Sequence, residues 1–555
     1  MPPLIAQYIG GAGTGKTRLL VETMEKVVEK LHDPHLIGYV SFTRAACDEA
    51  AARAADRFNV PLSELRNTGW FKTLHGITYR CLGVNGDQLL TDRAADRKWL
   101  QEALQIDVQG AADEMDSERL DVFDGAQSDA DRALAMWAAA RNRLEGLRPV
   151  WEAADECDDR TPPYDDCAAI IDRYEQAKRL DDRMDFVDLL GMFGGWRFYT
   201  DGAQRVSPIG DIPALPVWIH DEMQDSSKLL DSCFRRLIDA PGVQWVYLAA
   251  DPFQSIFGWS GADHRCFSDY PTAKRRVMPK SWRCPAEILN LGEDVLRNCS
   301  DYWDRGIEPV GPGGEIDEES FGGGWVDDID PRESWLLLAR TNYQAARMAR
   351  RLDEAGIPWH PTKKDGGSKW KAPARATAIK ALMNLEKGAW CDGYEWQGVV
   401  ERLPAKLDGE ELLTRGTKSQ WAQYGETDLK QWTWIQPADL AQVGGTQKLL
   451  DLIASGHWRE VVDGASDYAE AVEHWGQEAV DSPGVRLGTV HSAKGLEADN
   501  VVVLTTLSKP VAAAAQSDEG ADENHRLKYV AVTRAKQRLI FVKEQKTRYR
   551  WKLPV

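Results

Sequence analysis

Residues 10–17, Gly-Gly-Ala-Gly-Thr-Gly-Lys-Thr, constrain this 555-residue chain more than any other segment, because they fit the phosphate-binding pattern G-x-x-x-x-G-K-S/T. The apolar run 4–9 before them predicts a buried strand, and residues 18–27 after them predict a helix. The glycines let backbone N–H groups turn inward, and the helix N-terminus adds a positive dipole where phosphates would lie. A glycine-rich turn that binds nothing is the alternative, but the strand–loop–helix setting favours a nucleoside triphosphate site.

This loop gives two side chains a chemical role. The ammonium of Lys16 can reach the β- and γ-phosphates of a nucleotide, and the hydroxyl of Thr17 can ligate Mg²⁺. The residues predicted to bind the nucleotide at this loop are Gly10, Gly11, Ala12, Gly13, Thr14, Gly15, Lys16, Thr17 and Arg18.

Composition limits the class of protein. The chain is longer than one hydrophobic core supports, so several domains are expected. No apolar run approaches the ~20 residues of a membrane span, no basic segment precedes an apolar stretch at the start, and the nine cysteines form no C-x-x-C pair. These features predict a cytoplasmic protein without a membrane partner, zinc ribbon or disulfide framework. The formal charge of −19 restricts any nucleic-acid contact to a local basic and aromatic channel.

The pattern of strands and helices divides the chain. Residues 1–85 alternate short apolar strands with helices, and the alternation resumes from residue 185. Residues 86–184 between them are helical in pattern and acidic, as in the run Asp113-Glu114-Met115-Asp116, so a parallel α/β domain with an inserted helical subdomain is predicted. A second α/β unit begins near residue 276 and is interrupted by a Trp- and Gly-rich interval at 386–484. Residues 311–324 and 511–521 are predicted to be loops.

A second acidic element accompanies the phosphate loop. The apolar segment 217–220 predicts a strand that ends in Asp221 and Glu222. An aspartate in this place can hold Mg²⁺, and the neighbouring glutamate can orient and deprotonate an attacking water. An acidic turn after a core strand is the alternative, which the upstream phosphate loop disfavours.

Further motifs follow in a fixed order along the chain. Together they resemble the motifs of the UvrD/Rep/PcrA-like helicases of superfamily one. They are residues 41–46 (S-F-T-R-A-A), 73–76 (T-L-H-G), 185–190 (D-F-V-D-L-L), 250–262 (A-D-P-F-Q-S-I-F-G-W-S-G-A), 281–285 (S-W-R-C-P), 489–497 (T-V-H-S-A-K-G-L-E) and 526–535 (R-L-K-Y-V-A-V-T-R-A).

The resemblance implies an α/β fold of two RecA-like parallel-sheet core domains, each interrupted by a mainly helical inserted subdomain. The first core domain, which would bind ATP, comprises 1–85 and 185–275, with the acidic helical insertion at 86–184. The second comprises 276–385 and 485–555, with a short, Trp-rich insertion at 386–484.

The resemblance also implies roles for residues around the nucleotide. Arg283 and Arg534 would bring positive charge from the second core domain to the γ-phosphate, and Gln254 would sense that phosphate. Glu497 would hold the ribose, and Trp282 would stack on or flank the base. The implied catalytic residues are Lys16, Glu222, Gln254, Arg283 and Arg534, and the implied metal ligands are Thr17 and Asp221.

DNA contact needs a grip that tolerates any sequence, which stacking on aromatic rings provides. Trp259 in the 250–262 motif is the aromatic residue that best fits this role, since aromatics elsewhere are more often core. The residues that the resemblance places at DNA are Phe42, Thr43, Thr73, His75, Phe257, Trp259 and His491.

These inferences lead to one predicted function, an ATP-dependent, Mg²⁺-requiring DNA helicase that moves 3′→5′ along single-stranded DNA. The expected partners are single-stranded DNA, junctions of single and double strands, and a replication or repair protein, in the cytoplasm of a bacterial or phage-infected cell. Two alternatives stay open: a translocase that displaces proteins without efficient unwinding, and an ATP-switched clamp on DNA with little turnover.

The chain departs from the family pattern at three places. The family's L-N-x-x-Q segment, which reads adenine, has no counterpart in the nine residues before Gly10, so relaxed nucleotide choice is expected. Ser260 stands where the family has an arginine, so a charge near the DNA path is missing or comes from elsewhere. The second insertion is short, so unwinding is expected to be weaker than translocation.

Overall fold

The computed structural model describes residues 2–91, 93–104, 128–363, 367–370, 373–544 and 548–551. The acidic run 113–116 lies outside the described residues. The strands, in chain order, are β1 (Leu4–Ile9), β2 (Ile37–Val40), β3 (Trp70–Phe71), β4 (Trp196–Tyr199), β5 (Gly202–Arg205), β6 (Val217–His220), β7 (Trp245–Ala250), β8 (Lys274–Val277), β9 (Glu315–Ser320), β10 (Trp335–Ala339), β11 (His360–Pro361), β12 (Lys406–Leu407), β13 (Glu410–Glu411), β14 (Val485–Thr489), β15 (Ala498–Leu504) and β16 (Ala535–Lys543).

Helices connect these strands and form the inserted segments. In chain order they are α1 (Lys16–Leu31), α2 (Arg44–Phe58), α3 (Leu62–Thr68), α4 (Leu74–Leu82), α5 (Ala94–Leu104), α6 (Asp129–Arg143), α7 (Leu147–Asp155), α8 (Tyr164–Leu180), α9 (Phe186–Gly194), α10 (Lys228–Ile238), α11 (Arg265–Ser268), α12 (Ala286–Leu296), α13 (Asn342–Glu354), α14 (Pro373–Glu386), α15 (Gly393–Arg402), α16 (Thr417–Gln423), α17 (Glu426–Leu429), α18 (Gln447–Ala454), α19 (Trp458–Val461), α20 (Ala465–Trp475), α21 (Gln477–Asp481), α22 (Lys509–Ala514) and α23 (Asp518–Val532).

The first sheet is parallel and has the strand order β3-β2-β6-β7-β1-β8. Every residue of β2 and β6 is buried, as expected for a parallel sheet that is covered on both faces. Parallel strands end at a common edge, and Ile9 at the end of β1 pairs with Ala250 at the end of β7. The segments after β1, β6 and β7 therefore emerge together. This brings the phosphate loop close to two acidic motifs, Asp221-Glu222 after β6 and the 250–262 motif, which contains Asp251, after β7.

Helices cover both faces of this sheet. On one face, α1 and α2 contribute Leu20, Met24 and Ala54 to a buried core with Ile219. On the other face, α4, α9 and α10 contribute a second core that includes Phe193 and Phe234. This is the α/β layering that the sequence predicts, and it holds the phosphate loop on a packed scaffold.

The second sheet has the strand order β11-β14-β10-β15-β16-β9, with parallel pairing of β11 to β14, β15 to β16 and β16 to β9. The predicted α/β fold with two parallel sheets is thus confirmed, and each sheet has six strands.

Two predicted loops are wrong. Residues 315–320 form β9, an acidic and partly exposed strand that pairs with β16 through the register Glu315↔Arg538 to Ser320↔Lys543. Charged side chains are typical of such a sheet edge, and their lack of apolar character hid the strand. The segment 511–521 lies mostly in α22 and α23, and Ser517 caps α23 by accepting a hydrogen bond from Gly520 N. The Ala, Asp and Ser residues of this segment therefore indicate the start of a helix and not a loop.

The chain divides into two compact units. The first comprises 1–321, 338–344 and 489–555, and the second comprises 322–337 and 345–488. The four-part division drawn from the sequence stays a prediction.

Several tryptophans of the second unit lie in its interior. Trp396 and Trp458 are fully buried and Trp421 nearly so. Their indole N–H groups reach buried acceptors: Trp396 and Trp421 both donate to Val443 O, at 3.3 and 3.1 Å, and Trp458 donates to Glu386 Oε2 at 3.0 Å. Three of the seven tryptophans in 386–484 therefore belong to a core with satisfied indoles, whereas Trp390 and Trp434 are exposed.

In the first unit, helices α5–α8 form a helical segment whose root holds a buried ionic cluster. Arg141 on α6 and Lys178 on α8 donate to Asp185 at 2.9 Å each, and also to Asp188 on α9. Burial would raise the pKa of Asp185, but Arg141 and Lys178 outweigh it and hold that pKa below its ordinary value. The cations neutralise the carboxylates, so the cluster is a structural anchor.

None of the helices traced over the described residues combines the length and apolar character that a membrane crossing requires.

Candidate active site

The phosphate loop joins β1 to α1 within the first unit. Gly13 and Gly15 have φ of +68° and +82°, a conformation that residues with a Cβ rarely adopt. Lys16 Nζ donates to Gly10 O at 3.0 Å, which folds the side chain back over the loop. A Cβ added at Gly10 would lie 2.2 Å from Thr14 Oγ1. The loop therefore has the inward-facing backbone that phosphate oxygens require.

Hard oxygen ligands lie at the start of α1 and the end of β6. Thr17 Oγ1 donates to Asp221 Oδ2 at 2.7 Å, and the buried Tyr39 hydroxyl approaches the same oxygen at 3.3 Å. Burial, reinforced by the charge of Glu222, raises the pKa of Asp221 to about 6. A carboxylate and a hydroxyl that lie together beside a phosphate loop fit Mg²⁺. The divalent charge of the ion would stabilise the ionised carboxylates of this acidic site.

Glu222 follows Asp221 in a left-handed backbone conformation, with φ of +54°. Such a conformation is costly for a residue with a Cβ and is enriched at functional sites. Gln224 Nε2 donates to Glu222 Oε2 and fixes the carboxylate. Burial would raise the pKa of Glu222, but Lys16 and Lys494 outweigh it and keep the pKa below its ordinary value. Glu222 is thus ionised at neutral pH, as a general base must be.

The segment 281–283 packs directly against the phosphate loop. Ser281 Oγ donates to Ala12 O at 2.8 Å and Trp282 N donates to Gly13 O at 2.8 Å. A Cβ added at Gly13 would lie only 2.3 Å from Arg283 Cβ, so a side chain there would displace this segment. Arg283 is therefore held within reach of the loop.

Arg283 and the predicted ribose-binding residue contact each other. Arg283 Nε donates to Glu497 Oε2 at 2.6 Å, and Lys536 pairs with the other oxygen of Glu497 at 2.8 Å. The indole of Trp282 is 68% exposed, with Lys280 Nζ 4.6 Å from its centroid, so one stacking surface is open to solvent. Arg18 lies on α1 and pairs with Glu22 at 2.9 Å.

Arg534 and Gln254 form a second pair. Arg534 donates through its terminal nitrogen to Gln254 Oε1 at 3.3 Å, while Gln254 Nε2 donates to Asp251 Oδ2 at 2.7 Å. Burial, together with the nearby charge of Arg283, lowers the pKa of Arg534 to about 10, which leaves it charged at neutral pH. Gln254, the predicted sensor, and both arginines thus lie in one hydrogen-bonded region next to the loop.

Four of the residues predicted to bind DNA lie together, and we call them the aromatic cluster: Phe42, Phe257, Trp259 and His491. The rings of Phe42 and Phe257 stack at 5.4 Å between centroids. His491 lies 5.8 Å from Phe257 and 6.4 Å from Trp259. Side chains from three separate motifs therefore pack together, with Phe42 and Trp259 half-buried and Phe257 and His491 buried.

The other residues predicted at DNA have local structural contacts. Thr43 and Thr73 are helix caps, and they accept hydrogen bonds from Ala46 N and Gly76 N at 3.2 Å each. His75 packs edge-on against Phe186, with centroids 6.0 Å apart. Burial, with the charge of Arg44, lowers its pKa to about 4, so His75 is neutral at physiological pH.

Ser260, where the family pattern has arginine, turns back to its own loop and donates to Phe257 O at 2.9 Å. An arginine reaches this loop from another place in the sequence: Arg143, at the end of α6, donates to Gly258 O at 2.9 Å. The inserted helical segment thus brings a positive charge to the loop that carries Trp259.

Several residues of the site were not predicted from the sequence. Lys494, within the 489–497 motif, bonds to Asp225 and donates to Gln254 O at 2.7 Å. Tyr529, within the 526–535 motif, accepts a hydrogen bond from Ala12 N at 3.0 Å. Arg305 lies in no motif, and no local signal in the sequence identifies it.

Comparisons with known proteins agree with this geometry. The family model of the UvrD/REP helicase N-terminal domain matches residues 6–273, and that of the UvrD-like helicase C-terminal domain matches residues 471–546. The chain is 22% identical to an ATP-dependent DNA helicase PcrA of Staphylococcus epidermidis, over 97% of this chain and 81% of that protein. It is 23% identical to DNA helicase II of Salmonella typhimurium, over 63% of this chain and 48% of that protein.

The two family matches together cover well over half of the chain and include the loop, both acidic motifs, the aromatic cluster and Arg534. The chain therefore belongs to the UvrD/Rep family of helicases.

Proposed function

We propose that this protein hydrolyses ATP with Mg²⁺ and uses the energy to move 3′→5′ along single-stranded DNA and to unwind duplex DNA ahead of it. The observation that carries the proposal is the packing of the 281–283 segment, which holds Arg283, against the phosphate loop that presents Lys16. A phosphate loop with cations on both sides is suited to phosphoryl transfer rather than to nucleotide binding alone.

The residues divide the chemistry among them. The phosphate loop and Lys16 would hold the phosphates, and Thr17 and Asp221 would hold Mg²⁺, which when bound neutralises phosphate oxygens. Glu222, ionised and fixed by Gln224, would orient a water and accept its proton.

Charge grows on the γ-phosphate oxygens in the transition state, and arginine is well suited to meet it. Arg534 is charged, 2% exposed and hydrogen-bonded to Gln254, so it is already oriented beside the proposed sensor. Arg283 shares Glu497 with Lys536, which leaves the guanidinium close to the loop and able to exchange a partner for phosphate.

The proposal that hydrolysis drives movement rests on Lys494. Its ammonium donates to Gln254 O, pairs with Asp225, and lies 5.1 Å from the centroid of Phe257 in the aromatic cluster. Gln254 and Phe257 are also only three residues apart in one short segment. A change at the γ-phosphate therefore has a short physical route to bases stacked on the cluster.

The 3′→5′ direction and the preference for single-stranded DNA rest on the resemblance of the motifs and on relatives named as DNA helicases. A translocase that strips proteins without efficient unwinding is the second candidate, since the insertion at 386–484 is short for a duplex-contacting element.

Phosphate release, measured with ATP in the presence and absence of single-stranded DNA, duplex DNA and RNA, is the first test. Strong stimulation by single-stranded DNA is expected, and a chain that releases no phosphate under any of these conditions contradicts the proposal. Displacement of strands from 3′- and 5′-tailed duplexes, with streptavidin removal from biotinylated ends as a parallel assay, then separates unwinding from translocation and reports direction.

A further inference from the structure

Arg305, which follows α12, carries a charge in the interior of the first unit. Its side chain is 0% exposed. One terminal nitrogen donates to Asp251 Oδ1 at 2.6 Å, and the other bonds to Glu293 and approaches the Tyr529 hydroxyl at 3.4 Å. The guanidinium also lies 4.8 Å from the centroid of Phe253.

Such a charge is expensive to bury, and an ion pair of this kind adds little net stability compared with apolar packing. Burial would lower the pKa of Arg305, but Asp251, Tyr529 and Glu293 together outweigh it and raise the pKa above the ordinary value. Arg305 is therefore permanently charged. Because its ion pairs add little stability, its contacts indicate a role other than stabilising the fold.

The first contact leads to Gln254. Because Arg305 holds one oxygen of Asp251, the other oxygen is directed at Gln254 Nε2, 2.7 Å away. A side-chain amide held by its nitrogen presents its oxygen in one direction, and Gln254 Oε1 faces Arg534 at 3.3 Å.

The second contact leads to the phosphate loop. The Tyr529 hydroxyl accepts hydrogen bonds from Arg305 at 3.4 Å and from Ala12 N at 3.0 Å, and it donates one to Asp251 Oδ2 at 3.4 Å. A Cβ added at Gly11 would lie 3.1 Å from the same hydroxyl and 3.4 Å from an Arg305 terminal nitrogen. The loop backbone thus lies directly on the Tyr529 and Arg305 side chains.

We propose that Arg305 is a positioning residue for ATP hydrolysis, which fixes Asp251 and Tyr529 and through them the amide of Gln254 and the phosphate loop at Ala12. The inference rests on the proposed ATPase function, and it assigns a role to a residue outside the helicase motifs. It acts through hydrogen bonds rather than by touching the nucleotide.

The test compares Arg305→Lys with Arg141→Lys. Both substitutions keep a buried positive charge beside carboxylates, but Arg141 lies at the root of the helical segment, where it pairs with Glu175, Asp185 and Asp188. With saturating single-stranded DNA, Arg305→Lys is expected to lower kcat about tenfold and to change the KM for ATP less than about twofold, since Gln254 acts mainly in the transition state. Arg141→Lys is expected to lower thermal stability and to keep kcat.

A double-mutant cycle with Gln254→Ala identifies the route. If Arg305 acts through Gln254, the double variant has the same kcat as Gln254→Ala within about twofold. Losses that multiply overturn the route through Gln254, and equal kcat in Arg305→Lys and wild type overturns the whole inference.

Two further measurements cover the cases in which Arg305→Lys does not fold or the wild-type chain has no turnover. If Arg305→Lys does not fold, Tyr529→Phe removes the link to Ala12 with little change in volume and is expected to lower kcat severalfold; an unchanged kcat then overturns the inference. A wild-type chain without DNA-stimulated turnover contradicts the proposed function itself, which separates the two failures.

Discussion

The nucleotide pocket and the aromatic cluster belong to the same unit, but they are held together by different forces. In the pocket each charged or polar group has a directional partner, such as Lys16 with Gly10 O or Thr17 with Asp221. In the aromatic cluster the rings touch one another at centroid distances of 5.4–6.4 Å. Lys494 contacts both regions.

Because of this difference, the two regions are expected to respond differently to the loss of a single side chain. Phosphoryl transfer depends on charges fixed to a fraction of an ångström, so the loss of one pocket residue is expected to stop the reaction. Stacking is additive and tolerant of geometry, so the loss of one ring is expected to weaken DNA contact and leave basal chemistry intact. The following predictions test this contrast, in order of decreasing effect.

Lys16→Ala is expected to reduce ATP turnover about a thousandfold or more, with and without DNA, because the charge on the β- and γ-phosphates is lost. Phosphate release measures the effect. Lys26→Ala, an exposed lysine on the same helix, is the matched control and should keep full activity. Substantial turnover in Lys16→Ala would mean that the loop is not the hydrolytic site.

Glu222→Gln is expected to keep ATP binding and to lower turnover about a hundredfold or more, because the amide cannot accept the proton of water. Binding is measured with a fluorescent ATP analogue, and turnover by phosphate release. Glu152→Gln, an exposed position on α7, is the control. Normal turnover would remove Glu222 from the role of base.

Trp259→Ala is expected to raise about tenfold the concentration of single-stranded DNA that half-maximally stimulates the ATPase, while DNA-free hydrolysis stays unchanged. The control is Tyr199→Ala, which removes a 42% exposed ring on β4. A normal DNA response would show that the cluster does not stack on bases, and a loss of DNA-free hydrolysis would erase the contrast between the two regions.

The last prediction concerns His75, where the expected effect is on folding and none is expected on ATP turnover. Its pKa is near 6.5 when unfolded and about 4 when folded, so between these values the unfolded chain binds more protons. The contribution of this group to stability is nearly complete above pH 6.5 and falls as the pH drops toward 4, by about 2 kcal/mol at pH 5.

The measurement for His75 is the urea midpoint at pH 7 and pH 5. His75→Asn is expected to reduce the difference between the two midpoints, and the exposed His457→Asn to leave it unchanged. If the difference between the two urea midpoints is unchanged in His75→Asn, His75 is exposed to water and is not packed against Phe186.

Features with fixed local spacing could be predicted from the sequence. The strand at 4–9 and the phosphate loop were recognisable because a buried strand, a glycine-rich turn and a helix start are all encoded within about thirty residues. The ends of β6 and β7 were likewise apolar runs that stop at acidic residues.

Features that depend on distant partners could not be predicted in this way. Arg305 meets Asp251 and Tyr529 across sequence separations of 54 and 224 residues, and nothing in its own segment indicates them. The strand at 315–320 lacks apolar alternation because pairing with β16, and not the burial of apolar side chains, holds it in place. His75 and Thr73 fit a motif, yet the motif does not say that packing and helix capping occupy them.

The contact between Arg143 and the loop of Trp259 has a consequence for engineering. The arginine that the motif lacks at 260 arrives from a helix 115 residues away from Gly258. Exchanging that helix for one without an arginine at this position would remove the guanidinium, so a working chimaera would have to restore an arginine at one place or the other. The insertion and the motif have become mutually dependent, and neither is a freely portable module.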